Sequence, residues 1–385
     1  AAVCTLALLL PAAPAAAQGT QPPGSIVVAQ DAKQRSLVAR PVTQSYRAHL
    51  QRTEQINQNT VTVISGNPNG TYLYLAYDLS AVLDDGDTLR VLPIIGKGGY
   101  QNVLDVLHLK GVDLGITQSN IMTYLKRTGE MGSNIDQRLA YVAKLYNEEM
   151  HILAGPGIEK LEDLSGKVVN FSDTGSGTQF STRLIFEALG IKAQEINVGQ
   201  ADGYLKVKTG EIAATVLIAG KPAGSFGKFK LEPGMKLLPM PYVAALENDY
   251  FPAVLTHEDY PNLIEKGRTI ETIAVGAVLA VYNWPRDTDR YRRVAKFTDA
   301  FFDKIDEFSK SPRHSKWRET NLAQPLKGWI RFPAAQERLD KVAAAATGSD
   351  VELLKKLAAR AVPGVSSEQE RLFRDFLEWR RQQQQ

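Results

Sequence analysis

The chain has 385 residues, 44% of them hydrophobic and 23% charged, a balance that excludes disordered and fibrous classes. Forty-five Lys and Arg against 42 Asp and Glu leave a formal charge of +3. That is too even for a protein that works by neutralising phosphates, so nucleic acid is not favoured as a partner. At this length about three quarters of the unfolded surface is buried, which allows one large domain or two ordinary ones without disulfide or metal staples.

Residues 1–17 (AAVCTLALLLPAAPAAA) carry no charge and end in small residues of the A-x-A kind. They read as a secretory apolar segment with cleavage near Ala17 and with its start missing. A short buried helix is the alternative, but the polar, Pro/Gly-containing stretch 18–25 that follows argues for export. The single cysteine, Cys4, lies inside this segment, so the remainder has no thiol for disulfides, zinc sites or nucleophilic catalysis. An exported chain without disulfides suits a bacterial periplasm. The longest later apolar run, 272–284, is well short of the ~20 residues a membrane helix needs.

Residues 18–59 are polar and read as an N-terminal arm. From Thr60 onward, short β-rich runs alternate with amphipathic segments. Strands are expected at 60–65, 89–95 and 112–117. Helices are expected at 72–83, 102–109 and 121–127, the first with Tyr72, Leu75, Ala76, Leu79, Val82 and Leu83 on one face. A second set follows Gly155: strands at 167–171 and 214–218, with a helix at 179–189 closed by Gly190. The run 272–281 (TIAVGAVLAV) is apolar on both faces and reads as a central parallel strand. Helices are expected at 287–310 and 351–381. Repeated strand–helix units predict parallel sheets flanked by helices.

Four strand-to-helix junctions consist of Gly and small polar residues: 65–71 (SGNPNGT), 96–99 (GKGG), 117–120 (TQSN) and 173–178 (DTGSGT). In parallel α/β sheets such turns gather at the carboxyl ends of the strands, where ligands bind. Glycine lets the backbone approach a ligand, and the free N–H groups of the next helix favour negative charge. One such junction is explained by tight turns alone. Four in one chain point to a small anionic ligand.

Enzyme readings find little support. Asp173-Thr174-Gly175 matches the aspartic-protease string, but such enzymes need a second carboxylate from a second copy of that string. None exists, and apolar residues at 180, 184, 185, 188 and 189 have helical spacing where a protease would continue as a strand. The five histidines form no metal-ligand spacing, and His257-Glu258 lacks the second His of a zinc protease. No phosphate-binding loop or nucleophile elbow is present. No metal and no cofactor is implied.

Taken in order, several segments resemble the TAXI type of TRAP-transporter solute receptors. They are NGTYLYLAYDLSAVL (69–83), GKGGYQNVLDVL (96–107), GVDLGITQSN (111–120), AKLYNEEMHILAG (143–155), IEKLEDLSGKVVNFSDTGSGT (158–178) and LIAGKPAGSF (217–226). The resemblance covers roughly residues 60–285. It implies a two-lobed periplasmic-binding-protein (Venus flytrap) fold of class α/β, each lobe a mostly parallel sheet flanked by helices. Lobe 1 would hold 60–155 plus 272–310, lobe 2 would hold 156–271, and 311–385 would be a C-terminal helical extension. It also implies a monomeric periplasmic receptor that captures a small organic anion (an amino acid, keto acid or dicarboxylate) and passes it to a TRAP membrane permease. A sensor with the same fold is the alternative, and a hydrolase at Asp173 a more distant one. Ligand contact would fall to Gly70, Thr71, Tyr72, Lys97, Gly98, Gly99, Gln118, Tyr146, Ser176, Gly177, Thr178, Gly220 and Pro222. The hydroxyls of Ser176 and Thr178, with the helix amides, would hold one carboxylate, and Tyr72 and Gln118 would orient the rest. Two departures stand out. Gly96 and Gly99 replace hydroxyl residues around Lys97, which either pairs with a second anionic group or points to solvent. Asp173 would repel an anion if it faced inward.

Overall fold

The computed structural model describes residues 44–68 and 70–345. The leader and cleavage site expected at 1–17, and the helix expected at 351–381, lie outside the described residues. The chain divides into two units, 1–51 and 52–385. The first described element, α1 (Gln44–Gln58), is a helix where a polar arm was expected.

The next elements alternate as the periodicity predicts. Strand β1 (Thr60–Ile64) leads to α2 (Thr71–Leu83), β2 (Arg90–Ile94) to α3 (Gly99–His108), and β3 (Leu114–Gln118) to α4 (Ser119–Thr128) and the short α5 (Ile135–Arg138). A 16-residue strand, β4 (Leu139–Ala154), follows. The second half contains β5 (Val168–Asn170), α6 (Gly177–Ala188), β6 (Gln194–Ile196), α7 (Gln200–Lys208), β7 (Ala214–Ala219), β8 (Lys236–Leu237) and β9 (Phe251–Thr256). The 14-residue β10 (Thr269–Tyr282) then returns, followed by α8 (Asp289–Asp303), α9 (Ile305–Phe308) and α10 (Pro333–Ala345).

All ten strands form one sheet with the order β2-β1-β3-β10-β4-β7-β5-β6, β8 adding to β4 and β9 to β10. Its ends are parallel: β1 pairs in parallel with β2 and β3, and β5 with β6 and β7. Its centre is not. Strand β10 runs antiparallel to β3, β4 and β9, which corrects the parallel central strand expected at 272–281. The run is apolar on both faces because helices cover both sides, a condition that an antiparallel strand meets equally well.

The two long strands make the molecule two-lobed. The last part of β10 pairs with β3 and the first part of β4 with that end of β10, while the start of β10 pairs with β9 and the end of β4 with β7. The β10–β4 pairing slips at Ala277/Val278 and Leu279/Ala280, within the stretch of β10 that pairs with β3. Lobe 1 packs α2, α8 and α9 on one face of its sheet, through Leu75, Leu79, Phe297, Phe301 and Phe308, and α3 and α4 on the other. Lobe 2 packs α6 on one face and α7 on the other. Each fully buried Leu or Phe contributes roughly 1.5–3 kcal/mol. Of the described residues beyond 310, Trp317, Phe332, Ala334 and Ala335 pack into the core of lobe 1.

Candidate functional site

The small-residue junctions converge between the lobes because each follows a strand at the same sheet edge. In lobe 1, Asn102 holds three of them together. Its Nδ2 donates to the carbonyls of Ser65 (2.7 Å) and Ile116 (2.8 Å), and its Oδ1 accepts the Gly98 N–H at 3.2 Å. In lobe 2, Ser176 caps α6, its Oγ accepting the Gln179 N–H at 3.1 Å. The N–H groups of Gly177 and Thr178, in the first turn of α6, make no hydrogen bond with other described residues.

The lobes touch. Gly99, at the start of α3 with φ of +47°, lies so near α6 that a Cβ there would fall 2.3 Å from the Gly177 nitrogen. A Cβ on Gly177 would in turn fall 2.7 Å from the Gln118 carboxamide. Glycine at both positions is therefore a condition of this approach. Asn67 Nδ2 donates across the gap to Asp173 Oδ2 at 3.0 Å, and Tyr100 stacks on Phe180 with centroids 5.4 Å apart. This is a closed arrangement.

Between the lobes lies a cavity of about 250 Å³, open to solvent on one side. Of the residues expected to touch a ligand, Gly70, Thr71, Tyr72, Lys97, Gly98, Gln118, Ser176, Gly177 and Thr178 line it. The others are placed elsewhere. Gly99 meets the opposite lobe. Tyr146 is buried, its hydroxyl donating to Glu148 Oε1 at 3.2 Å. Gly220 packs on Tyr146 and Lys316, and Pro222 is exposed outside the cavity lining. The hydroxyl role expected of Thr178 also changes: its Oγ1 accepts the Ile218 N–H at 3.0 Å and donates to the Ile218 carbonyl at 3.3 Å. That hydroxyl ties α6 to β7. Ser176, whose oxygen only accepts, keeps its proton for an occupant.

Lys97 is exposed at the rim, with its stem beside the turn at Gly175. Asp173 lines the cavity at the start of that turn, and α6 begins at Gly177, two residues ahead of the start expected at 179. Among the described residues no group of three His, Cys, Asp or Glu is placed to hold a metal ion.

The residue sequence reasoning missed is Glu148. It lies on β4 at the crossing between lobes, lines the cavity and is only 2% exposed. Tyr72 Oη and Gln118 Nε2 each donate to its Oε2 at 2.8 Å, and Tyr146 to its Oε1. Burial pushes its carboxyl up to about 7, against the pull of those three donors. The same burial, with Glu148 beside them, pushes the phenols of Tyr72 and Tyr146 well up, so both remain donors.

The model of the NMT1-like family matches residues 64–333. This corrects the resemblance to TAXI-type receptors, and with it the TRAP permease as partner. The segments that carried the resemblance are largely βα junctions and their flanking helices, which this architecture demands whatever transporter is served. Among solved structures, an ancestral arginine-binding protein bound to arginine shares 15% identity at a TM-score of 0.41, covering 67% of this chain and 98% of that one. An amino acid ABC transporter substrate-binding protein from Streptococcus pneumoniae, bound to L-arginine, shares 13% at 0.38, covering 69% and 95%. A putative L-cystine ABC transporter from Listeria monocytogenes shares 16% at 0.39, covering 67% and 95%.

Proposed function

We propose, for a chain that belongs to the NMT1-like family and closes two lobes over one small cavity, that it is an extracytoplasmic binding protein for a small carboxylate-bearing solute. The observation that carries this reading is the pair of unsatisfied N–H groups of Gly177 and Thr178 at the cavity, with the Ser176 hydroxyl beside them. A carboxylate there gains roughly 0.3–1 kcal/mol from the helix dipole before its hydrogen bonds are counted. Tyr72, Gln118 and the Glu148 carboxylate they hold line the opposite wall, in the usual pattern of few polar groups in a shaped pocket. Binding shifts the open–closed balance by its differential affinity for the closed form, and the Gly99–Gly177 contact exists only when the lobes meet. The captured solute then passes to a membrane transporter, with an ABC system in the place of the TRAP permease.

The test is calorimetry and thermal melting of protein freed of co-purified ligand, against amino acids, keto acids and dicarboxylates. Saturable one-to-one binding is expected, and ligand at 100 times its dissociation constant adds about 2.7 kcal/mol of stability. Absence of heat and of any melting shift across all three classes overturns the reading.

A further inference from the structure

Glu148 is more than a polar wall. Every group that meets its carboxylate within the protein is a donor: two phenols and one amide N–H. The amide's orientation follows from a buried relay. Asn120 Oδ1 accepts the Ile121 N–H at 2.9 Å, so Asn120 Nδ2 faces Ser181 Oγ, 2.8 Å away. Asn120 Nδ2 also donates to Tyr250 Oη at 2.9 Å, and Ser181, itself fully buried, donates to Gln118 Oε1 at 2.8 Å. Gln118 presents its NH₂ to Glu148. The relay thus ends on an acceptor, and three donors on two oxygens favour the ionised carboxylate, since the acid form would have to place its own proton as well.

Among the described residues no cation balances that charge. Lys316 is engaged by Glu149 and Glu319, Lys221 by Asp259, and Lys97 stands exposed at the rim. Among the described residues none forms an ion pair with Glu148. A buried carboxylate held by neutral donors and facing a cavity is unfavourable unless something entering that cavity is positive.

We infer that the solute is an amino acid, its protonated amine seated on Glu148 and its carboxylate on the α6 N-terminus. This rests on the proposed reading of the cavity as a solute site, and it narrows the three candidate anion classes to one. The phenols of Tyr72 and Tyr146 and the Gln118 amide hold the carboxylate oxygens in place. Keto acids and dicarboxylates, which lack the amine, would leave the Glu148 charge uncompensated in the cavity.

The experiment compares each amino acid with its 2-oxo-acid and 2-hydroxy-acid counterpart by calorimetry on the wild-type protein, then repeats the series on Glu148→Gln. At least one amino acid is expected to bind, with its oxo-acid partner at least 100-fold weaker. The variant should lose tenfold or more for the amino acid and little or nothing for the oxo acid. The wild-type ratio needs no variant, so poor folding of Glu148→Gln leaves the inference exposed to test. If oxo acids or dicarboxylates bind as tightly as the best amino acid, or if a folded Glu148→Gln keeps full affinity, the amine assignment is overturned while the carboxylate site stands. If neither series binds at all, the reading of the cavity falls and the inference with it.

Discussion

Glu148 and Glu149 are neighbours on β4, both nearly excluded from solvent, and burial pushes both up to about 7. Successive side chains of a strand point to opposite faces, so the two carboxylates look into different regions. Glu149 looks into the back of the crossing, where Lys316 Nζ donates to it at 2.7 Å and the Lys221 N–H at 2.9 Å. Lys316, 1% exposed, also donates to Glu319 at 2.7 Å. Glu148 looks into the cleft and meets only neutral donors. Identical chemistry and identical burial therefore serve two purposes, and what separates them is the source of the compensating charge. One source is built into the chain; the other arrives with the solute.

The comparison breaks most visibly at Lys316. Lys316→Met would leave buried Glu149 and half-buried Glu319 without their cation, and removing one partner of a buried pair typically costs about 3–5 kcal/mol. Urea denaturation should show that loss, whereas Glu148→Gln, which removes an uncompensated charge, should leave the ligand-free protein as stable or more so. Equal losses in the two variants would mean that Glu148 is paired within the chain after all.

The pH dependence sharpens the same point. Each carboxyl titrates near 4.5 when unfolded and about 7 when folded, so between those values the native state holds more protons than the unfolded one. The stability each contributes is full below about 4.5 and lost as pH rises toward 7. One unit of pKa difference corresponds to about 1.4 kcal/mol. Around Glu149 stand Lys316, Glu319 and Lys144, the last held down to about 8 by burial. Around Glu148 the only charged neighbour is Glu149. Ligand-free protein should therefore weaken from pH 4.5 to 7, and Glu148→Gln should flatten part of that slope. An unchanged slope in the variant would remove Glu148 from the account.

A smaller effect is expected at the contact between lobes. Gly99→Ala places a methyl against the Gly177 nitrogen and asks alanine to adopt a left-handed conformation, at roughly 1–2 kcal/mol. Because the clash exists only when the lobes meet, affinity should fall at least tenfold, about 1.4 kcal/mol, with each lobe intact. Calorimetry alongside small-angle scattering checks this. Unchanged affinity would show that capture does not require the observed approach.

Much of this arrangement was legible in the chain. The helix at Thr71–Leu83 and strand at Thr60–Ile64 follow from apolar spacing, and the glycine junctions marked the cleft because turns at one sheet edge must converge. Strand β4 was not legible. Its centre carries Lys144, Asn147, Glu148, Glu149 and His151, residues that argue against a central strand until their partners are known. Those partners are remote: Lys316 lies 167 positions from Glu149, and Tyr72 lies 76 from Glu148. The one local signal was the acidic pair itself, set inside an otherwise apolar stretch. Likewise the direction of β10 depends on which strands flank it, and composition does not encode that.

Ser176 and Thr178 offer the finest version of the opening comparison, two hydroxyls in one turn with different tasks. Both should cost about 1 kcal/mol of stability when removed, Ser176→Ala through the lost cap and Thr178→Val through the lost bonds to Ile218. Only Ser176 retains a proton for an occupant, since the Thr178 hydroxyl is spent in both directions on the end of β7. Affinity should therefore drop by roughly tenfold or more in Ser176→Ala, the worth of one hydrogen bond to a charged group. It should stay near wild type in Thr178→Val. The reverse pattern would place the solute deeper against β7 than the α6 N-terminus, and would move the carboxylate from the cap to the strand end.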